Sequence, residues 1–244
     1  MLTHNVKLKS REPIAEGTVA FHFEKPDQFN FSAGQFVNLV LIDPPETDAE
    51  GNRRNFTIAS APDETDLMIA TRMRDTAFKR VLKQMPLDHE VRLGGPFGSF
   101  TLHQDQSRPA VFLTGGIGVT PFRSIVVQAA RKKLPHRLFL FYSNRRPEDA
   151  AFLDELRQLE AANPNYKLIA TMTDLENSQP SWGGSWEGKT GYIDRAMIAE
   201  VIPDLRLPIY YSAGPPAMVA AMRQLLEDCG VSKENIRTED FAGY

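Results

Sequence analysis

The period of the apolar residues changes near Pro109, and this change constrains the fold more than any single motif does. Before it, Asn5–Arg11, Ala15–Phe23, Gln35–Leu41, Arg54–Ser60, Asp66–Met73 and His89–Leu93 alternate or concentrate Val, Phe, Ile and Leu. Pro, Gly, Asp and Asn separate these runs, as expected of strands joined by turns. Six short strands predict a small barrel. One helix interrupts them: Asp75 or Thr76 caps it, Phe78, Val81, Leu82 and Met85 share a face, and Pro86 ends it.

After Pro109, strands alternate with helices. Strands are predicted at Ala110–Thr114, Arg137–Tyr142, Tyr166–Thr171, Leu207–Ala213 and Asn235–Glu239. Helices are predicted from Thr120-Pro121, over Glu148–Ala161, near Asp194–Val201 and over Ala217–Cys229, where Gly230 is the stop. That order builds a parallel sheet with helices on both faces. The polar stretch Leu102–Arg108 divides the chain into residues 1–104 and 105–244.

Composition narrows the chemistry. A net charge of −3 gives no basic excess for nucleic acid or an anionic membrane. No apolar run reaches membrane-spanning length and no leader pattern opens the chain, so a cytoplasmic location is the default expectation. One cysteine, Cys229, cannot hold an iron–sulfur cluster, which takes about four thiolates. The 5 histidines are scattered and form no H-E-x-x-H, which argues against zinc or haem. Redox chemistry in such a chain needs an organic cofactor or a partner.

Five segments carry chemical character. Arg54-Asn55-Phe56-Thr57 places a guanidinium, an aromatic ring and a hydroxyl on one strand. Those groups suit a pyrophosphate, a planar ring system and a ring edge. A barrel strand with a snorkelling Arg and a core Phe reads the same way. In Thr71-Arg72-Met73-Arg74-Asp75-Thr76-Ala77 a strand runs into a helix start bearing two arginines, a natural place for phosphate and equally an ordinary capped helix. Thr114-Gly115-Gly116-Ile117-Gly118-Val119-Thr120-Pro121 joins a buried strand to a helix through three glycines, with Thr120 as N-cap and Pro121 at the first position. It is not G-x-G-x-x-G, yet a plain turn needs only one glycine.

Tyr211-Ser212-Ala213-Gly214-Pro215-Pro216-Ala217-Met218 ends a strand with a glycine and two prolines, as a site at a strand's carboxyl end or as a rigid turn. The tail Glu239-Asp240-Phe241-Ala242-Gly243-Tyr244 carries two aromatics, to cover either a cofactor ring or the sheet edge.

In this order the five segments resemble the ferredoxin–NADP reductase superfamily over most of the chain. The resemblance implies a six-stranded antiparallel flavin barrel, then a Rossmann-like domain for NADH or NADPH. FAD is the implied flavin, with FMN the lesser alternative. The family's R-x-[YF]-[ST] motif falls on Arg54, Phe56 and Thr57. It implies that Arg54 meets the flavin phosphates, Phe56 the ring or ribityl region, and Thr57 the reactive flavin nitrogen. Thr71, Arg72 and Met73 fall on the strand that contacts the flavin by backbone, and Thr76 and Ala77 on a second phosphate turn. Gly115, Gly116, Gly118, Val119, Thr120 and Pro121 fall on the nicotinamide-nucleotide loop. Ser143, Asn144 and Arg145 fall at the adenosine ribose, and Gly214, Pro215 and Met218 at the nicotinamide side.

Two departures stand out. The family's C-G-P-P appears as Ala213-Gly214-Pro215-Pro216, and no cysteine set exists for a fused ferredoxin domain. The resemblance therefore implies hydride transfer from NAD(P)H to FAD, with electrons passing to a separate ferredoxin, flavodoxin or oxygenase component. Two other readings stand beside it: a flavin reductase using free flavin, and a noncatalytic flavin-binding subunit of a complex. Phe241 or Tyr244 is the expected cover for the flavin, and a monomer is the expected state. Arg145 and Arg146 suit the extra phosphate of NADPH, but the coenzyme stays open. The Trp182–Trp186 loop is either a docking surface or a fold-back.

Overall fold

A computed structural model of the chain describes residues 3–178 and 186–241. Strands β1 (Thr3–Ala15), β2 (Thr18–Glu24), β3 (Phe36–Leu41), β4 (Arg53–Thr57), β5 (Asp66–Arg72) and β6 (Glu90–Phe97) form one antiparallel sheet in the order β4-β3-β6-β1-β2-β5. Beyond β4 the chain still makes ladder bonds. Ile58 N–H donates to Gln35 O, and Ala59 N–H donates to Met68 O at 2.7 Å on β5. That second bond joins the two edges of the sheet, so it curls into the expected barrel.

Alternation sets the barrel core: Val37, Leu39 and Leu41 of β3 point inward while their neighbours do not. Helix α1 (Ala77–Gln84) closes one end, with Phe78 and Leu82 in the same cluster as Leu8, Phe21 and Phe23. Thr76 is its cap, accepting from Lys79 N–H. Several strand boundaries differ from the sequence reading: β2 starts at Thr18 rather than Ala15, β4 ends at Thr57 rather than Ser60, and β6 runs on to Phe97. β1 runs on to Ala15 because Pro13 sits beside a register shift, where a proline's missing donor leaves no gap in the ladder. The turn to β2 is at Gly17, with φ +63°.

The second sheet is all parallel. Its strands are β7 (Ala110–Gly115), β8 (Leu138–Asn144), β9 (Tyr166–Met172), β10 (Lys189–Thr190), β11 (Ile209–Gly214) and β12 (Ile236–Asp240). Their order is β10-β9-β8-β7-β11-β12. Helices α2 (Thr120–Lys132) and α3 (Leu153–Ala162) pack on the face that carries Phe112 and Leu140. Helices α4 (Arg195–Ala199) and α5 (Pro216–Asp228) pack on the face that carries Val111 and Leu113.

Three local expectations are corrected. Helix α3 starts at Leu153, not Glu148: Pro147–Asp149 is a 3-10 turn, and Phe152 has φ +60°, which interrupts any helix between them. Thr120 is not an N-cap. A 3-10 turn over Gly116–Val119 leads straight into α2, so Thr120 is already helical and its hydroxyl donates to Ile117 O. The short edge strand β10 was absent from the sequence reading, since two residues carry no readable period.

The two sheets share an interface. Phe100 packs against Phe122 of α2 and Tyr211 of β11 at 5.7 and 5.5 Å between ring centroids. His103 and His136, remote in sequence, meet edge to face at 5.3 Å beside it. Among the described residues no group of three or more His, Cys, Asp or Glu is placed to hold a metal, and no helix is long and apolar enough to cross a membrane.

Candidate active site

The strand order locates the site. From β7 the chain winds outward through β8, β9 and β10, then returns to place β11 on the other side of β7. In an open parallel sheet this reversal opens a crevice at the carboxyl ends of the two strands. The two turns at those ends are Gly115–Val119 and Gly214–Pro216, and Thr114 lies in register with Ala213. Thr114 Oγ1 donates to Ala213 O at 2.8 Å and locks the pair.

The glycines have structural partners there. A Cβ on Gly118 would stand 2.5 Å from both Ala213 O and Gly214 Cα. A Cβ on Gly115 would stand 2.6 Å from Met218 Sδ. Gly116 has φ +55° and Gly214 φ +143°, conformations that side chains resist. Gly118 thus lets its loop meet the backbone of Ala213 and Gly214, while Gly115 leaves room for the Met218 side chain. Ser143, at the end of β8, lies opposite Gly115. Asn144 is buried behind it, while Arg145 is exposed and paired with Asp174 at 2.8 Å. Arg146 turns instead toward Asp149 and Glu16, at 3.0 and 2.9 Å.

The β4 motif sits on the barrel side. Arg54 and Phe56 share a face, as strand alternation requires, and both lie on Phe78 of α1. The Arg54 guanidinium is 5.2 Å from the Phe78 ring centre. Asn55 is bonded to Asn38 on the opposite face, and Thr57 is buried beside Phe36. Thr71 is buried at the end of β5. Met73 N–H donates to Gly17 O at 2.7 Å, so this one backbone donor is already used. Arg72 leans away to Asp149 at 3.4 Å. Glu16, Gly17, Arg72, Met73, Arg74, Arg146 and Asp149 line a cleft of about 250 Å³ along the seam between the two sheets.

Two further residues with shifted pKa values lie beside these segments and were not singled out from the sequence. Lys79, one turn into α1, donates to Arg72 O at 2.7 Å. Burial, then the charges of Arg74 and Arg54, push its pKa down to about 8. Burial and like charge both disfavour the protonated lysine, and an anion at this helix start would favour it. Glu239 lies on β12 in register with Ala213. Its Oε2 is buried without a hydrogen-bond partner, and burial raises its pKa to about 7. The sequence signal for Lys79 was its place in the first turn, and for Glu239 its place two residues before Phe241. The environments that shift them are tertiary.

The tail reaches the same crevice. Phe241 N–H donates to Gly214 O at 3.1 Å, which fixes the chain beside the β11 turn. Tyr244, and Trp182 of the Trp182–Trp186 loop, lie outside the described residues. Trp186 is described: its indole donates to Lys189 O, and Arg157 lies over its ring.

Comparisons with known proteins agree with this geometry. Residues 112–224 match the family described as the oxidoreductase NAD-binding domain. Ferredoxin--NADP reductase B of Sorangium cellulosum is 30% identical over 247 residues, covering 96% of each chain. One subunit of the Na(+)-translocating NADH-quinone reductase of Pseudomonas aeruginosa is 35% identical over 193 residues, 78% of this chain and 44% of its own. The chain spans less than half the length of such quinone-reductase relatives. Among solved structures, a ferredoxin NADP+ reductase from Neisseria gonorrhoeae with bound FAD and NADP superposes with a TM-score of 0.77 at 20% identity, covering 98% of each chain. The cytochrome b5 reductase domain of Ulva prolifera nitrate reductase gives 0.77 at 19%, covering 98% and 97%. The chain belongs to the ferredoxin–NADP reductase superfamily of FAD- and NAD(P)-binding oxidoreductases. Within that superfamily it is similar from end to end to a ferredoxin–NADP reductase.

Proposed function

We propose that this chain is an NAD(P)H-dependent flavoprotein reductase that serves a separate redox-protein acceptor. Residues 1–104 hold FAD and residues 105–244 hold the nicotinamide coenzyme; the division falls in 98–109, which carries no strand or helix. Bound FAD would supply the chemistry, accepting a hydride and releasing electrons. The chain's own residues bind and orient. Arg54, the start of α1 and Lys79 are the donors assigned to an anionic phosphate group, with Lys79 held at a lowered pKa by burial first and then by Arg74 and Arg54. Phe56 and the Thr71–Met73 strand end are assigned to the flavin body, and the Thr57 hydroxyl to its ring edge. The Gly115–Pro121 and Gly214–Pro216 turns hold the nicotinamide nucleotide, with Ser143, Asn144 and Arg145 toward its ribose. Phe241 is the aromatic assigned to the flavin face.

One observation carries the reading. The residues just after the β4 motif are tied directly to α2, the helix that follows the glycine loop: Ser124 Oγ donates to Ser60 O at 2.7 Å. The flavin motif and the coenzyme crevice are therefore parts of one packed unit. The test is optical. Purified protein should stay yellow through gel filtration and bleach when NADH or NADPH is added without oxygen. Protein that loses its colour on the column would point to the flavin reductase reading. Protein that stays yellow but does not bleach would leave only the noncatalytic role.

A second acceptor class has its own support. The quinone-reductase relatives are named as parts of a Na(+)-translocating NADH-quinone reductase, so docking to a membrane complex is the alternative destination for the electrons.

A further inference from the structure

The Arg54 guanidinium is saturated by its own loop. Its Nη2 donates to Asp48 Oδ1 at 2.6 Å, and its Nε lies 3.0 Å from Glu50 Oε2. Its Nη1 donates to the carbonyls of Glu50, Gly51 and Arg53 at 3.2, 3.0 and 2.8 Å. No nitrogen of this group remains unengaged, yet it is the guanidinium assigned to a flavin phosphate. The loop is also clamped to α1 from outside, because Glu46 takes both Nε and Nη2 of Arg80, at 2.9 and 2.5 Å.

Asp48 is the central member. Its carboxylate accepts from Arg54 and from the Glu50 N–H at 3.0 Å, and faces the Phe78 backbone N–H in the first turn of α1; Arg54 first, then these N–H groups, hold it in its charged form. A guanidinium together with helix-start N–H groups is the donor set that receives a phosphate. Asp48 thus presents to that set a unit negative charge and acceptor oxygens, as a phosphate monoanion would. Glu50 reaches Arg54 too, but from an exposed position.

We propose that Asp48 is an internal anion that competes with the flavin phosphate for Arg54 and the α1 helix start, and so sets how firmly phosphorylated flavins are held. The inference rests on the flavin reading of the site. Binding of FAD or FMN then requires the Asp48–Gly51 segment to swing away from Arg54. Riboflavin, which has no phosphate, does not require it. Asp48 thereby shifts the balance toward exchangeable flavin, without touching the flavin ring.

The test is a fluorescence-quenching titration of flavin-free, full-length protein with FAD, FMN and riboflavin. Wild type is compared with Asp48→Asn and Asp48→Ala, each checked for folding by thermal melting. The expected result is FAD and FMN binding roughly fivefold tighter in the variants, the size of one partly exposed ion pair, with riboflavin unchanged. Unchanged or weaker FAD and FMN binding in whichever variant folds would overturn the proposal. Equal tightening of riboflavin would also overturn it, because the loop would then be acting as a general barrier. If wild type binds none of the three flavins, the flavin reading itself fails, which is a distinct outcome.

Discussion

Arg123 Nη1 donates to the carbonyl of Ala59 at 2.8 Å, so the first turn of α2 is fastened to the residue two places beyond the Arg54–Thr57 motif. Arg123 is 6% exposed and also pairs with Glu64 and Glu155, at 2.9 and 2.6 Å. Replacing it with Met is expected to destabilise the protein by about 2–4 kcal/mol, below the range of a fully buried pair because Glu155 keeps contact with solvent. Urea unfolding measures this, and Arg123→Lys should recover part of the loss.

The same residue sets an acid limb of stability. Burial alone would raise the Glu64 pKa, but the Arg123 guanidinium holds it below its ordinary value of 4.5. A lowered folded-state pKa contributes stability that is complete above 4.5 and is lost as pH falls through the folded value. Unfolding curves between pH 3 and 6 should therefore show less acid destabilisation in Arg123→Met than in wild type, relative to each protein's own neutral value.

Glu239 has the opposite sign. Burial raises its pKa from 4.5 to about 7, so the folded state favours the proton. Its unfavourable contribution is absent below 4.5, grows as pH rises and is complete above about 7. Glu239→Gln should match wild type near pH 4.5 and exceed its stability at pH 8 by about 2 kcal/mol. A gap that does not widen with pH would show that the carboxyl is solvated.

On the proposed phosphate site, Lys79 would tie flavin affinity to pH. Its pKa of about 8 reflects burial first, and then Arg74 and Arg54. An anion nearby favours the protonated lysine, so FAD affinity should be level below pH 8 and decline above it. Lys79→Met should bind FAD more weakly at pH 7 and lose the decline. Parallel fluorescence titrations from pH 7 to 9.5 measure both.

Removing the guanidinium is the bluntest probe of the barrel site. Arg54→Ala should weaken FAD by roughly 10–100-fold, the range for a lost charged hydrogen bond. It should affect riboflavin far less. Full retention of FAD through gel filtration would remove Arg54 from the phosphate role.

Much of the fold was legible because alternation of period 2 gave way to strand–helix alternation, and both sheets follow from it. The misreadings have local causes. Phe152 adopts a left-handed conformation that nothing in its type announces, which hid the true start of α3. Pro13 looked like a strand breaker and is absorbed at a bulge. At the site, residue types were legible and partners were not. Gly118 stood out as a glycine, but its reason lies 95 residues away in sequence, against Ala213 and Gly214. Arg54 was legible as a candidate, while nothing in the sequence marked the Asp48–Gly51 segment as its partner. Lys79 and Glu239 depend on burial, which only the assembled barrel and sheet create.

The seating of Gly118 on Gly214 bears on how such a protein can diversify. A methyl group at Gly118 has nowhere to go except into the backbone of the neighbouring turn, so that side of the crevice is closed to variation. Across it, the Arg145 side chain is 72% exposed and tied to the rest by a surface ion pair. If the crevice holds the coenzyme as proposed, selection, natural or in the laboratory, has a fixed wall and a free rim, and new nucleotide preferences would be written on the rim.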